Sequence, residues 1–499
     1  MYVTIGDVDV VDGFPELREA TDVLVAPLRA QRVSAAELYQ LAAAIEELYR
    51  QEGYLLVRVT LPPQSVGDGE TLKLQVIDGF IESIDLDGVP ARARRSVRRH
   101  LEPLIGQRKL RVDTVERLVT LAGRAPGVRL RSALDAGDQL GGVRLILDGD
   151  HQLFSSGYST NNRLSEGLGK WDHTFRLTFD QLLGRGEQLY TYLSGGSDFF
   201  DALTLKGERR IVGGGITLPI GADGFSLNLE YTRSITSPEP VAIWVPRLES
   251  RFERYSLRLS YPLILSRRQA LTLTTALEAM DQQDSFPDFF GFVLSEDRLR
   301  VLRLSADWTL PVANGALAWN TTLSQGIDAF GARGEVDVSE SGIGFSRPGA
   351  APNFVKLDTT LVYDLPLPRG FGSRFVLRGQ IPLNGVMPSA ELFSLEGEQA
   401  LSSFRAGALA SDAGWSLREE IVRPVGIREL HLSPFVYAAV GRLSSRQPGT
   451  PYGRDSLAYG LGLRAFWRSF DLAMEYGHYD AHPGGLDGEQ FFVRGGMQF

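Results

Sequence analysis

Phe225-Ser226-Leu227-Asn228-Leu229-Glu230-Tyr231-Thr232 sets an apolar side chain at every odd position and a polar one at every even position. Successive side chains of an extended strand point to opposite faces, so this rhythm predicts a strand with one apolar and one wet face. The rhythm recurs on both sides of this stretch. Phe175, Leu177 and Phe179 alternate with Arg176, Thr178 and Asp180, and Tyr255, Leu257 and Leu259 alternate with Ser256, Arg258 and Ser260. Leu302, Leu304 and Ala306 alternate with Arg303, Ser305 and Asp307, Leu357 and Thr359 with Asp358, and Leu472, Met474 and Tyr476 with Glu475. Glu420 falls in a further segment, at 414–424.

Sixteen segments of this kind are placed between residue 153 and the C-terminus, an even number. Either face could be the wet one on pattern alone; loop lengths decide. Connections are expected to alternate between short turns, such as Gly184-Arg185-Gly186 and Ala313-Asn314-Gly315, and long loops near 236–251, 284–296, 328–353 and 384–413. Short turns at one end and long loops at the other mark an outer-membrane barrel. Residues 151–499 are therefore expected to form an all-β, sixteen-stranded antiparallel transmembrane β-barrel. Such a barrel is wide enough for an aqueous lumen. Arg176, Asp180, Arg258, Arg303, Asp307, Asp358, Glu420 and Glu475 are expected to face it, hydrated rather than desolvated.

Composition agrees. No window approaches 18 consecutive apolar residues, which excludes a transmembrane helix and leaves strands as the spanning elements. Mean hydropathy is −0.09, as alternation averages out. The 499 residues include no cysteine, so disulfides and thiolate metal sites are excluded, and a net charge of −9 gives no bulk attraction to nucleic acid. No leader precedes the strand-like start at Tyr2–Ile5, so a processed chain is expected.

The first 150 residues read differently. Ser34-Ala35-Ala36-Glu37 is a capping-box pattern, followed by Leu38, Leu41, Ile45 and Leu48 at helical spacing. Strands are expected at 54–61 and 71–77. A second cycle follows, with a strand at 80–86, helices at 92–104 and 112–122, and strands at 128–134 and 142–147. Two α+β modules result, 1–79 and 80–150. Arg92, Arg94, Arg95, Arg98 and Arg99 crowd one helix; a solvated face and a contact for anionic headgroups or an acidic client are both open.

No catalytic constellation emerges. None of the six histidines has metal-ligand spacing, and no nucleophile elbow, phosphate loop or dinucleotide fingerprint is present. No enzyme activity, cofactor or metal is expected.

Two small modules before a sixteen-stranded barrel resemble the two-partner secretion transporters of the TpsB family, which export haemolysins, haemagglutinins and adhesins. Gly53-Tyr54, Leu61-Pro62-Pro63-Gln64, Asp68-Gly69 and Ile77-Asp78-Gly79 carry the resemblance in the first module, and Ala125-Pro126-Gly127-Val128 in the second. The modules then look like periplasmic POTRA domains that recognise an unfolded client, a large secreted partner protein. The resemblance also implies outer-membrane lipid around the barrel and help from barrel-assembly machinery. The last strand, ending at Met497 and Phe499, resembles that machinery's recognition signal. A related assembly insertase and a passive porin are the alternatives.

The family carries an arginine motif at the tip of its sixth long loop, which folds into the lumen. Here Phe404-Arg405-Ala406-Gly407 takes its place, followed by Asp412. The resemblance makes Arg405, Gly407 and Asp412 a candidate loop lock. The family's aspartate on the thirteenth strand, partner of that arginine, is missing: Tyr437-Ala438-Ala439-Val440-Gly441 has Ala439 there. Asp307, Asp358, Glu420 and Glu475 are the candidate substitutes, and a solvated Arg405 is the alternative.

Overall fold

The computed structural model describes residues 2–196, 198–240, 242, 244–447, 449 and 453–499. They form two compact units, one built on residues up to Gln152 together with Leu183–Gly186 and Gly221–Gly224, and one on Leu153–Leu182, Glu187–Ile220 and Phe225–Phe499.

The N-terminal unit holds two three-stranded sheets with helices packed on each. In the first, Asp7–Val11 runs parallel to Thr71–Ile77, and Arg58–Thr60 pairs antiparallel on its other side. The helix Ala35–Gln51 starts where its sequence signal lies. Ser34 Oγ accepts from the Glu37 N–H at 3.3 Å, while the Glu37 carboxylate accepts from the Ser34 N–H at 2.6 Å. Its buried residues Leu38, Leu41, Ala42, Ile45 and Tyr49 repeat at helical spacing and meet Leu72 and Leu74 of the sheet. One local expectation fails, and one element was not predicted. The stretch 54–61 is extended only at Arg58–Thr60, because Gly53 at φ +90° turns the chain and the Tyr54 N–H stays bonded to the Tyr49 carbonyl. A helix at Arg18–Val25 went unread; it spans eight residues without a side-chain cap.

The second sheet pairs Phe80–Gly88 parallel with Gly142–His151, and Val128–Ala136 antiparallel to the latter. The arginine-rich helix runs over Ala91–Leu101 and buries Ala93, Ser96, Val97, His100 and Leu101. Glu102–Leu104, expected to continue it, is a 3-10 turn with Pro103 inside. Lys109 Nζ of the second module lies 2.9 Å from the Glu16 carboxylate of the first and 4.8 Å from the Phe14 ring centroid.

The second unit is a closed antiparallel barrel in which each strand pairs with its sequence neighbour and Leu486–Gln498 closes on Phe154–Asn161. It has sixteen strands; Val425–Ile427 prolongs the twelfth, Ala413–Val422, beside the thirteenth, Leu430–Ser444. The outer surface is apolar in register: Leu304, Leu323, Leu357 and Ile381 stand opposite one another on four consecutive strands, all exposed. In water that belt would be a severe liability; in hydrocarbon it is the favoured surface.

Strict alternation of short and long connections does not hold. The expected loop at 284–296 is only 287–291, because Ala270–Phe286 and Phe292–Val312 extend as strands of 17 and 21 residues. Their upper parts, such as Asp281, Gln282, Asp284 and Glu296, lost the apolar alternation that flags a strand, since both faces there leave hydrocarbon.

Candidate functional site in the barrel lumen

The connection 385–412, between barrel strands Gly372–Asn384 and Ala413–Val422, packs inward. Its Leu395, Leu401, Phe404 and Leu409 are buried against Phe435, Tyr437, Ala439, Ala458 and Ala481 of the wall. Burying each of these large side chains is worth roughly 1.5–3 kcal/mol. The wall makes room by being small. A Cβ at Gly441 would lie 2.8 Å from Leu395 Cδ2, and one at Gly477 would lie 2.4 Å from Ser403 Oγ.

Polar anchors hold the segment at three places. Glu391, nearly inaccessible, is clamped by Arg303 at 2.5 Å and Lys356 at 2.9 Å, from the eighth and tenth strands. Burial pushes its carboxyl pKa up, but Lys356 and Arg303 outweigh it and hold the group below the ordinary carboxylate value. Asp412, fully buried, accepts from Arg347 at 2.6 and 3.0 Å, from the Met387 N–H at 2.7 Å and from the Arg446 N–H at 2.9 Å. Its carboxyl is likewise lowered: burial opposes, and the Arg347 hydrogen bonds and backbone donors prevail.

The third anchor is the tip. Ser402 Oγ donates to the Glu475 carboxylate and accepts from Arg418 Nη1 at 2.5 Å. Arg418 also donates to the Ala400 carbonyl at 3.2 Å and, from Nε, to Glu420 at 2.9 Å, and lies 3.8 Å from the Tyr437 ring centroid. Tyr437 OH and Ser403 Oγ are 2.6 Å apart, and Arg163 Nη1 donates to the Ser402 carbonyl at 2.6 Å.

Arg405 reaches none of Asp307, Asp358, Glu420 or Glu475. It donates to the carbonyls of Asn162 at 3.2 Å and Leu164 at 3.0 Å, and to Gln490 Oε1 at 3.0 Å. The four carboxylates are otherwise engaged. Glu420 is met by Arg418 and Arg464, Glu475 by Arg418 and Arg163, Asp358 by Lys356, and Asp307 accepts from Asn320 at 2.6 Å. Ala439, in place of an acid, is part of the apolar bed instead. The Gly407 N–H donates to Glu396 at 2.7 Å and φ is +82° there, so Gly407 shapes the tip.

The other lumen candidates engage aromatic or polar neighbours on adjacent strands. Arg176 sits over Tyr190 at 5.2 Å, and Asp180 accepts from Gln188 at 2.8 Å. Arg258 is 3.3 Å from Glu230 and 3.6 Å from Glu278, and Arg303 is 2.9 Å from Glu278. Of the eight candidates expected to be hydrated, Asp180, Glu420 and Glu475 are buried, while Arg176 and Asp307 are exposed. For Glu420 and Glu475 the returning segment and its apolar residues exclude water. Met497 pairs with Phe470 and Tyr158, and terminal Phe499 exchanges backbone hydrogen bonds with Ser156.

Sequence reasoning missed Arg163, Arg347, Lys356, Glu391, Glu398 and the role of Arg418. One signal was available: Ala439, Gly441, Ala458, Gly460, Gly477 and Ala481 leave same-face positions of three consecutive strands small, a trough for something inside.

Residues 145–465 match the family model described as haemolysin secretion/activation protein ShlB/FhaC/HecB, and residues 4–79 match the POTRA domain of ShlB type. The chain is 24% identical over 469 residues to the hemolysin transporter protein ShlB of Serratia marcescens, covering 90% of this chain and 78% of that protein. It is 23% identical over 481 residues to the hemolysin transporter protein HpmB of Proteus mirabilis, covering 93% and 80%. Among solved structures it resembles CdiB from Escherichia coli, with a TM-score of 0.81 at 19% identity over 100% of this chain and 91% of that one.

Proposed function

Because the chain belongs to the haemolysin secretion/activation protein family ShlB/FhaC/HecB, we propose that it exports one large exoprotein, of haemolysin or adhesin type, through a lumen gated by residues 385–412. The protein is an outer-membrane two-partner secretion transporter with its N-terminal domains in the periplasm. The observation that carries the gating reading is the inward segment itself, whose buried Glu391 and Asp412 are held by ion pairs inside a closed barrel. Removing one partner of a buried pair costs about 3–5 kcal/mol, enough to hold a gate yet reversible in a concerted movement.

Residues 1–79 and 80–150 act as the client-binding modules, and an exposed sheet edge suits an extended segment by β-augmentation. No nucleotide is needed in this scheme: folding of the client outside prevents its return. Met497 and Phe499 serve as the signal to the assembly machinery, and the apolar belt meets lipid. Arg405, Gly407 and Asp412 belong to the gate in different ways: Asp412 anchors its base, Gly407 shapes the tip, and Arg405 fixes the tip to neighbouring backbone.

Deleting residues 2–150 tests the docking role. Client secretion should fall to background while the barrel still inserts; undiminished export from a normally inserted barrel would remove it.

A further inference from the structure

The barrel closes on an unusually short seam. The last strand pairs with the first over Arg494–Gln498 against Gly157–Asn161, extended by backbone bonds between Phe499 and Ser156 at one end and from Asn162 to Val493 at the other, whereas its other edge pairs over Leu486–Met497 with Phe470–Ala481. Past Asn161 the first strand ends; the Asn162 N–H makes the last backbone bond, to the Val493 carbonyl at 3.3 Å, and side chains take over there. The Asn162 Oδ1 accepts from the Val493 N–H at 2.8 Å, and its amide donates to the Phe491 carbonyl at 3.1 Å. One amide side chain thus stands in for a strand at the point where backbone pairing stops.

The inward segment crosses the seam at the same height, twice. Arg405 grips the Asn162 and Leu164 carbonyls on one side and Gln490 of the last strand on the other. Glu398 lies 3.8 Å from Arg163 on the first side and 2.9 Å from Arg494 on the second. The Ala406 N–H adds a backbone bond to the Arg163 carbonyl at 3.0 Å. A cation and an anion from one loop tip, each touching both lips of the seam, are more than a plug needs.

We propose that the tip of the 385–412 segment is the staple of the barrel seam, so that its departure from the lumen also frees the upper edges of the first and last strands. Glu398 and Arg405 are positioning residues in this scheme. They are held where they are by the wall anchors at Arg418 and Tyr437 and act on the seam through Arg163, Arg494 and Gln490. The inference deepens the gating reading and rests on it only for its consequence in export. Backbone groups of Asp487, Glu489 and Phe491 face the first strand's side above the last paired rows, and they form the edge that opening would extend.

Hydrogen–deuterium exchange of the purified full chain tests the staple without any client. A double variant, Glu398→Ala with Arg405→Ala, should exchange at least about tenfold faster at the amides of 157–161 and 493–499, with the hairpin 252–283 unchanged. Gln490→Ala removes the far partner alone and should move the same amides less, which keeps the test alive should the double variant fail to fold. Heat-modifiable electrophoretic mobility reports folding. Parental seam exchange in folded variants overturns the proposal. Conductance measured in planar bilayers separates the two readings: raised conductance with an unmoved seam contradicts the staple and leaves the gate, whereas a loosened seam at parental conductance supports the staple and contradicts the gate.

Discussion

Arg418 of the twelfth barrel strand donates to Ser402 Oγ of the inward segment at 2.5 Å, so the cation sits on the wall and the acceptor on the loop. Arg405, for which a wall carboxylate or solvent was the expected partner, donates instead to two backbone carbonyls and to Gln490. A guanidinium offers five donors in a fixed fork, and Arg418 directs three of them to a loop carbonyl, a loop hydroxyl and Glu420 while lying over the Tyr437 ring.

Arg418→Ala should therefore loosen the tip more than Arg405→Ala. It leaves Glu420 with Arg464 and Glu475 with Arg163 beside a cavity, at a cost of about 1–3 kcal/mol. Arg418→Lys should recover little, since an ammonium cannot make the fork. Open probability in planar bilayers checks the order: alanine and lysine variants at 418 both high, Arg405→Ala lower.

Glu391→Gln should free the opposite end of the segment. The substitution leaves Arg303 and Lys356 facing each other without the carboxylate that both contact. Limited proteolysis in detergent should cut within 385–412 at least about tenfold faster than in the parent, while the barrel strands stay resistant.

The barrel was legible because it depends on a local rhythm: Leu227, Leu229 and Tyr231 show their face whatever lies opposite. The modules were legible where a local signal exists, as at Ser34 and Glu37, and illegible at Arg18–Val25, where none does. The lumen contacts were not. Glu391 meets Arg303 across 88 positions and Arg405 meets Gln490 across 85, and no periodicity encodes such pairs. Ala439 was read as a lost acid, though with Gly441 and Ala458 it forms the trough that the segment fills.

Gly441→Val tests that trough. Even a Cβ there would come within 2.8 Å of Leu395 and 3.0 Å of Leu401, both fully buried. Overpacking of this kind costs about 1–3 kcal/mol. The variant should insert normally yet show raised open probability, because the loop can leave and the strand cannot.

Acidification should release the gate in a defined window. Glu391 and Asp412 both titrate below their ordinary values of 4.5 and 3.8. A depressed carboxyl contributes stability above its ordinary value and loses it as pH falls through the depressed one. Conductance should stay flat from about pH 8 to pH 5 and rise only below about pH 4. Glu391→Gln should flatten part of that rise.

Ser34→Ala should destabilise the N-terminal unit by about 1 kcal/mol by removing half of the capping box. A lower first transition in a thermal melt of the full chain, with the barrel transition unmoved, is the expected result.

The most direct measurement tethers the tip to the wall. Ser403→Cys with Gly477→Cys puts two thiols in contact in a chain with no other cysteine; because a Cβ at 477 lies 2.4 Å from Ser403 Oγ and 2.2 Å from the Tyr437 hydroxyl and crowds the tip by itself, the reduced double variant is the reference for the oxidised one. Export of the client should stop while the disulfide is intact and resume on reduction. Parental export from the fully oxidised protein would contradict a gate formed by residues 385–412.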